Sequence, residues 1–275
     1  MSQLSPYHRR LFVFLSVASF FEGFDYYALA QLLPELRTAF SLSVPQGTSM
    51  ASFINIGMVL SFFLARQGDR FGRRRLLSWT ITGYMICTAL SAMTVSVGQF
   101  AVCQLLSRLF QSAEVATVMV FAAEEFPAVR RGFVLGVIQG TSSLGAIVCA
   151  GVTPILTATA LGWRTVYLVG GVPLLLVAYL RRNLRDSERF THSAAKTTLP
   201  LLRVFRSQHR GRLLLMSAIW ALVMFCTQSA LLFWKDFAVT TRHFTSAQVA
   251  SCMTIAALGS LPLVFSVGKL LDLIG

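Results

Sequence analysis

Glu22 and Asp25 stand three residues apart inside an apolar stretch that runs from about Leu11 to Leu33, with Tyr26 and Tyr27 directly after them. On a helix that spacing puts both carboxylates on one face. Two carboxylates so close in a low-dielectric medium should not both be ionised, so the pair is suited to taking up and releasing a proton. A second polar group, Arg108, Gln111 and Glu114, lies in another apolar block at steps of three, a stripe along one helix face. A guanidinium there can hold a carboxylate through two parallel hydrogen bonds, or it can pair with Glu22, Asp25 or Glu114. The plainer alternative for each charge is an ion pair that only joins helices. Charges at membrane depth are costly, however, and by default face a bundle interior or a water-filled cavity.

These residues need helices to carry them, and the composition supplies helices of one kind. Of 275 residues, 55% are hydrophobic and 13% charged, with a mean hydropathy of +0.66; soluble domains hold less apolar residue and scatter it by periodicity. Here it runs in blocks near the 20 or so residues that a bilayer core requires. The blocks fall at about Leu11 to Leu33, Gly47 to Ala65, Leu76 to Val97, Phe100 to Ala123, Gly132 to Thr157, Trp163 to Leu180, Leu213 to Trp234 and Gln248 to Val267, which makes eight spans. The first is too long for a secretory leader and lacks a cleavage pattern. Alternate loops on the N-terminal side hold 19 Lys and Arg against four, Arg37, Arg164, Lys235 and Arg242, on the other side. That asymmetry places both termini in the cytoplasm. The net charge of +13 therefore reports orientation, and no nucleic-acid partner is expected. A basic segment, 182–212, separates six spans (1–181) from two (213–275), and its stretch from Leu199 to Leu214 suits a helix lying along the inner leaflet. Neither a metal site nor a cofactor motif is expected, nor a nucleophile elbow or phosphate loop, so the chain does not read as an enzyme. Cys87, Cys103, Cys149, Cys226 and Cys252 all lie in apolar blocks, where small buried side chains are expected.

The loop between the second and third blocks reads Gly68-Asp69-Arg70-Phe71-Gly72-Arg73-Arg74-Arg75-Leu76. It resembles the signature of the major facilitator superfamily at that loop, with Ala65 where the family usually has glycine. Gly268-Lys269-Leu270-Leu271-Asp272 resembles the same signature repeated after the eighth span. Glu124-Glu125-Phe126-Pro127 with Arg131-Gly132, and a degraded Leu184 to Phe190 segment, are similar to loops of the sugar and metabolite porter branch. The resemblance implies an all-α polytopic membrane protein of the major facilitator fold, with a six-helix N-terminal bundle and part of a C-terminal one. It implies a conformational latch at Asp69, Arg70, Gly72, Arg73 and Asp272. An acid in the first span, here Asp25 after Gly23-Phe24, and an arginine in the fourth, here Arg108, are associated in the family with proton coupling or substrate binding. Family antiporters tend to carry Gly-Pro in the fifth span; Gly140-Thr141 stands here, which points to symport or facilitated diffusion.

The function so implied is transport of a small organic solute, a metabolite, sugar or organic acid, by proton-coupled symport across the plasma (inner) membrane. The partners are that solute, protons and the bilayer. The competing reading is a non-transporting membrane protein that serves as structural or regulatory partner of an intact carrier. Because Gly275 falls within the second signature, the chain reads as a fragment of a twelve-span body that does not transport as a monomer. Three lesser expectations are that Gly132, Gly136 and Gly140 form a flat face for helix packing, that Trp163, Tyr167 and Tyr179 are interface anchors, and that Gln228 and Trp234 are weak lining candidates.

Overall fold

Long apolar blocks with no backbone partner but themselves can satisfy their peptide groups in a membrane only as helices, and helices are what form. The computed structural model describes residues 6–181, 210–256 and 258–259, and among them there is no strand. The helices are α1 (Pro6–Ala39), α2 (Val44–Ala65), the single turn α3 (Gly68–Phe71), α4 (Arg73–Met93), α5 (Val97–Glu125), α6 (Ala128–Thr157), α7 (Trp163–Arg181) and α8 (Arg210–Thr240). Residues 246–256 are also helical. Among the described residues α1, α2, α4, α5, α6 and α8 are long and apolar enough to cross a bilayer. With 19 residues, α7 matches the sixth expected block, and 246–256 begin the eighth.

Local chemistry sets the helix starts. The Ser43 hydroxyl accepts from Gln46 N while the Gln46 side chain accepts from Ser43 N, a reciprocal cap, with Pro45 in the first turn of α2. Ser96 caps α5 through Gln99 N. At 34 residues α1 is about 51 Å long, well over a bilayer core. Its last turns therefore project past the apolar block, carrying Glu35 and Arg37 with them. Likewise α8 continues past Trp234 to Thr240, so Lys235 sits in a helix and not in the loop expected for it.

The helices pack as α1 on α6, α2 on α5, and α4 on both α5 and α7; α1 also touches α7 and α8. One apolar cluster gathers Phe24, Leu29, Ile54, Phe100, Trp163 and Tyr167; a second, toward the other ends of α1 and α5, gathers Leu11, Leu15, Phe121 and Phe126. Trp163 and Tyr167 are thus core residues, 6% and 0% exposed, and not interface anchors. Their rings pack edge-on with each other and with Phe100, a geometry aromatic quadrupoles favour. The Tyr179 side chain lies outside the described residues.

The glycine stripe is also corrected. A Cβ on Gly132, Gly136 or Gly140 would meet nothing within 4 Å. The close approach of α1 and α6 is made instead by Gly23, where a Cβ would run into the Ser142 carbonyl, and by Gly145, where it would run into that of Phe20. A four-residue repeat marks a face; which glycine meets a neighbour depends on where the helices cross. Cys87 and Cys149 are buried as expected, whereas Cys226 and Cys252 are exposed.

Between α3 and α4, Gly72 has φ +93° and ψ 145°, a backbone conformation open essentially to glycine alone. This accounts physically for the glycine in the inner-loop signature. Gly72→Ala is expected to cost about 1 to 3 kcal/mol, read as a lower thermal midpoint in detergent. Gly98→Ala, at an exposed site with open space around it, is expected to stay within about 0.5 kcal/mol of the parent.

Candidate functional site

Four helices, α1, α4, α5 and α7, converge on Asp25. It is 4% exposed and its neighbour Glu22 is 3% exposed, so both carboxylates are inside the bundle. The hydroxyls of Tyr84 and Thr88 approach Asp25 from α4, and the charge of Arg108 acts on it from α5. From α7, a Cβ on Gly170 would come 3.7 Å from Asp25 Oδ1. The glycine thus lets α7 approach Phe24 and Asp25 closely, since the same Cβ would come 3.2 Å from the Phe24 ring.

Arg108 and Gln111 face α1 as a unit. Arg108 Nη1 donates to Gln111 Oε1 at 3.0 Å and Nη2 donates to the Tyr26 carbonyl at 3.3 Å, while Gln111 Nε2 donates to the Glu22 carbonyl at 2.8 Å. The guanidinium carbon lies 4.3 Å from the centre of the Tyr26 ring, a cation–π stack that is strongest when desolvated. Gln111 makes these bonds because it follows Arg108 by three, so that both reach the same strip of α1. Glu114, three further on, has drifted round the helix: it accepts from Thr80 of α4. The arginine, the glutamine and the two acids of α1 are therefore brought together, and Glu114 turns to another neighbour.

Arg108 Nε, Asp25 Oδ1, Gln104 Nε2 and Tyr167 Oη are buried without a hydrogen-bond partner. Most buried polar atoms in folded proteins are satisfied, so a group of such atoms in one place needs an explanation. A donor-rich guanidinium and an acid that share a region with unspent hydrogen-bonding capacity can receive an anionic or polar solute, with the acid available to hold a proton.

Sequence reasoning missed Tyr84, Thr88 and Tyr167, since a tyrosine or threonine in an apolar block carries no sign of which way it faces. It also missed a set of charges where α1 meets α8. Lys235, 2% exposed, donates to Glu35 Oε1 at 2.8 Å and to the Gln31 carbonyl. Arg37 Nη1 donates to Asp236 Oδ1 at 2.5 Å and to Thr240 at 3.3 Å. The signal was present: Glu35 and Arg37 follow the first apolar block at the same depth as Lys235 and Asp236 follow the seventh. Gln228 receives a hydrogen bond from the Tyr26 hydroxyl at 2.7 Å, and Trp234 is 41% exposed. Gly72 is described above; the side chains of Asp69, Arg70 and Arg73, and Asp272 altogether, lie outside the described residues, as do 199–209 of the expected amphipathic stretch.

The sequence profile of the Major Facilitator Superfamily matches residues 15–275. The sialic acid transporter NanX of Escherichia coli is 27% identical, over 99% of this chain and 67% of that protein. The cis,cis-muconate transport protein of Acinetobacter baylyi is 28% identical, over 62% of this chain and 41% of that protein. Among solved structures, a D-xylose-proton symporter superposes with a TM-score of 0.70 at 18% identity, covering 92% of this chain and 66% of that one. The chain thus spans between about two-fifths and two-thirds of the length of these relatives.

Proposed function

Because the chain belongs to the major facilitator superfamily, we propose that it carries the binding half of a transporter for small organic acids, coupled to protons and working by alternating access in the plasma membrane with both termini cytoplasmic. In this reading 1–181 form one half, 182–212 the connection, and 213–275 part of the second half. Arg108 and Gln111 take the solute carboxylate; Asp25, with Glu22 beside it, carries the proton; Glu114 braces α5 against α4; and Asp69, Arg70, Gly72, Arg73 and Asp272 form the inner latch. The observation that supports the reading most is the convergence of Arg108 and Asp25 with unsatisfied buried polar atoms around them. Both relatives above are named for organic acids, sialic acid and muconate, and a guanidinium recognises that group through its planar fork.

The test is uptake and binding of a panel of sugar acids and dicarboxylates by the purified chain in proteoliposomes. Binding of an acid that varies with pH in the parent and not in Asp25→Asn is the expected result, with accumulation along an imposed proton gradient expected only from a complete twelve-span body. Binding without uptake would keep recognition in these residues and assign the moving parts elsewhere. Absence of both, with co-purification of another carrier, would favour the non-transporting reading instead.

A further inference from the structure

Buried hydroxyls on helices have an ordinary partner, the carbonyl three or four residues back on the same helix. Ser91 donates to that of Cys87, Thr117 to that of Ala113 and Thr153 to that of Cys149. Thr88 of α4 and Ser107 of α5 are bonded to each other instead, Oγ1 to Oγ at 2.9 Å, and either oxygen can be the donor. They are 0% and 1% exposed, so both hydroxyls depend on groups inside the bundle for their hydrogen bonds.

The Thr88 hydroxyl also approaches Asp25 of α1. It therefore has a carboxyl group on one side and the Ser107 hydroxyl on the other, and Ser107 directly precedes Arg108. The other titratable groups around Asp25 are Glu22 on its own helix, Tyr84 from α4, Arg108 from α5, Cys149 from α6 and Tyr167 from α7. Arg108 keeps its charge at any working pH. The Tyr84 and Tyr167 hydroxyls make no bond to a third group, and Cys149 turns to Thr153 of its own helix.

A carboxylate can only accept hydrogen bonds, whereas a protonated carboxyl also donates one. A hydroxyl beside such a group must be free to point either way if both states are to be satisfied in a dry interior. Thr88 and Ser107 meet that requirement. With Asp25 ionised, Ser107 donates to Thr88 and Thr88 donates to the carboxylate. With Asp25 protonated, the acid donates to Thr88, Thr88 to Ser107, and Ser107 to the Cys103 carbonyl four residues back, the usual partner of a helical serine. The acid gains one proton; the hydroxyls keep theirs and only turn about their C–O bonds. A hydroxyl committed to its own helix, as that of Ser91 is, would leave one of the two states with an unsatisfied polar group and so oppose it.

We propose that Thr88 and Ser107 are positioning residues of the proton-carrying acid, a two-way hydroxyl relay that lets Asp25 change its protonation inside the bundle and passes the change to α5 at the residue before Arg108. The inference rests on the proton-carrying role given to Asp25 in the proposed function.

The experiment is infrared difference spectroscopy of the full chain in lipid vesicles on acidification, where the carboxyl band of protonated Asp25 is the one absent from Asp25→Asn. A carboxyl C=O band moves to higher frequency when the group loses a hydrogen-bond partner. Thr88→Val is expected to shift the band upward, and Thr88→Ser, which restores the hydroxyl, to leave it at the parent position. Ser107→Ala removes a group one step away from the acid and is expected to shift the band in the same sense by less. The double variant of Thr88→Val and Ser107→Ala should coincide with Thr88→Val, because a relay cut at Thr88 has nothing further to lose at Ser107. In parallel, the ratio of organic-acid affinities at neutral and acid pH is expected to change roughly tenfold in Thr88→Val and to be kept in Thr88→Ser. A Ser107→Ala band at the parent position, or shifts that add in the double variant, would overturn the relay and leave Asp25 as the proton carrier. An Asp25→Asn spectrum identical to that of the parent would overturn both. A band that behaves as expected while binding is independent of pH would sustain the relay and overturn the coupling of solute to proton.

Discussion

Arg108→Gln is expected to weaken binding of an organic acid to the purified chain by a hundredfold or more. Two charge-assisted hydrogen bonds to a carboxylate, each with a net value of about 1.5 to 3 kcal/mol, amount to at least about 3 kcal/mol, and every 1.4 kcal/mol or so is tenfold in Kd. Glutamine preserves some length and polarity but offers neither the charge nor the fork. Arg108→Lys restores the charge alone, so it is expected to recover only part of the affinity. Titration calorimetry with a carboxylate and with its amide analogue separates the roles: the parent should prefer the acid, and Arg108→Gln should lose the preference. An unchanged preference in Arg108→Gln would mean that the guanidinium serves only to join α5 to α1 through the Tyr26 carbonyl and Gln111.

The second large effect concerns the platform on which the site is built. Gly145→Val and Gly23→Leu are each expected to destabilise the chain by about 3 kcal/mol or more, at the upper end of what overpacking costs. In both cases the added atoms would meet a backbone carbonyl, of Phe20 or of Ser142, and a backbone cannot rotate aside as a side chain does. The axes of α1 and α6 would have to separate, and because Gly23 stands two residues before Asp25, the acid would be displaced with them. Gly136→Ala belongs to the same helix and the same four-residue repeat, yet it faces open space. There the higher helix propensity of alanine should stabilise by up to about 1 kcal/mol. Thermal unfolding in detergent, followed by tryptophan fluorescence, distinguishes the two classes. Equal losses in Gly145→Val and Gly136→Ala would show that the crossing does not depend on these glycines.

Much of the molecule was legible in the order of its residues. Lengths of apolar sequence near twenty admit only helices in a bilayer, so α1, α2, α4, α5, α6, α7 and α8 were all apparent, with ends displaced by a few residues where a polar turn continues the helix, as at Lys235 in α8. Burial of Glu22, Asp25, Arg108 and Gln111 could be expected as well, because a charge in an apolar block has no favourable place but the interior. The inner-loop signature carried the family, and Gly72 shows why one of its positions is glycine: the backbone there takes a φ of +93°.

What the linear order does not contain is the azimuth and crossing point of each helix. A tyrosine such as Tyr84 or Tyr167 reads the same whether it faces lipid or an acid; the packing of α4 and α7 around α1 puts both in the core. Glu114 reads as a member of Arg108's stripe, yet three-residue steps drift round a helix of 3.6 residues per turn, and by the second step the side chain reaches Thr80. Composition and span length thus determined that this chain is a helical membrane bundle with a few buried charges. Only the tertiary structure decided which charges meet, because meeting depends on pairs such as Glu35 and Lys235, some 200 residues apart, whose relative position follows from how whole helices pack and from no local pattern.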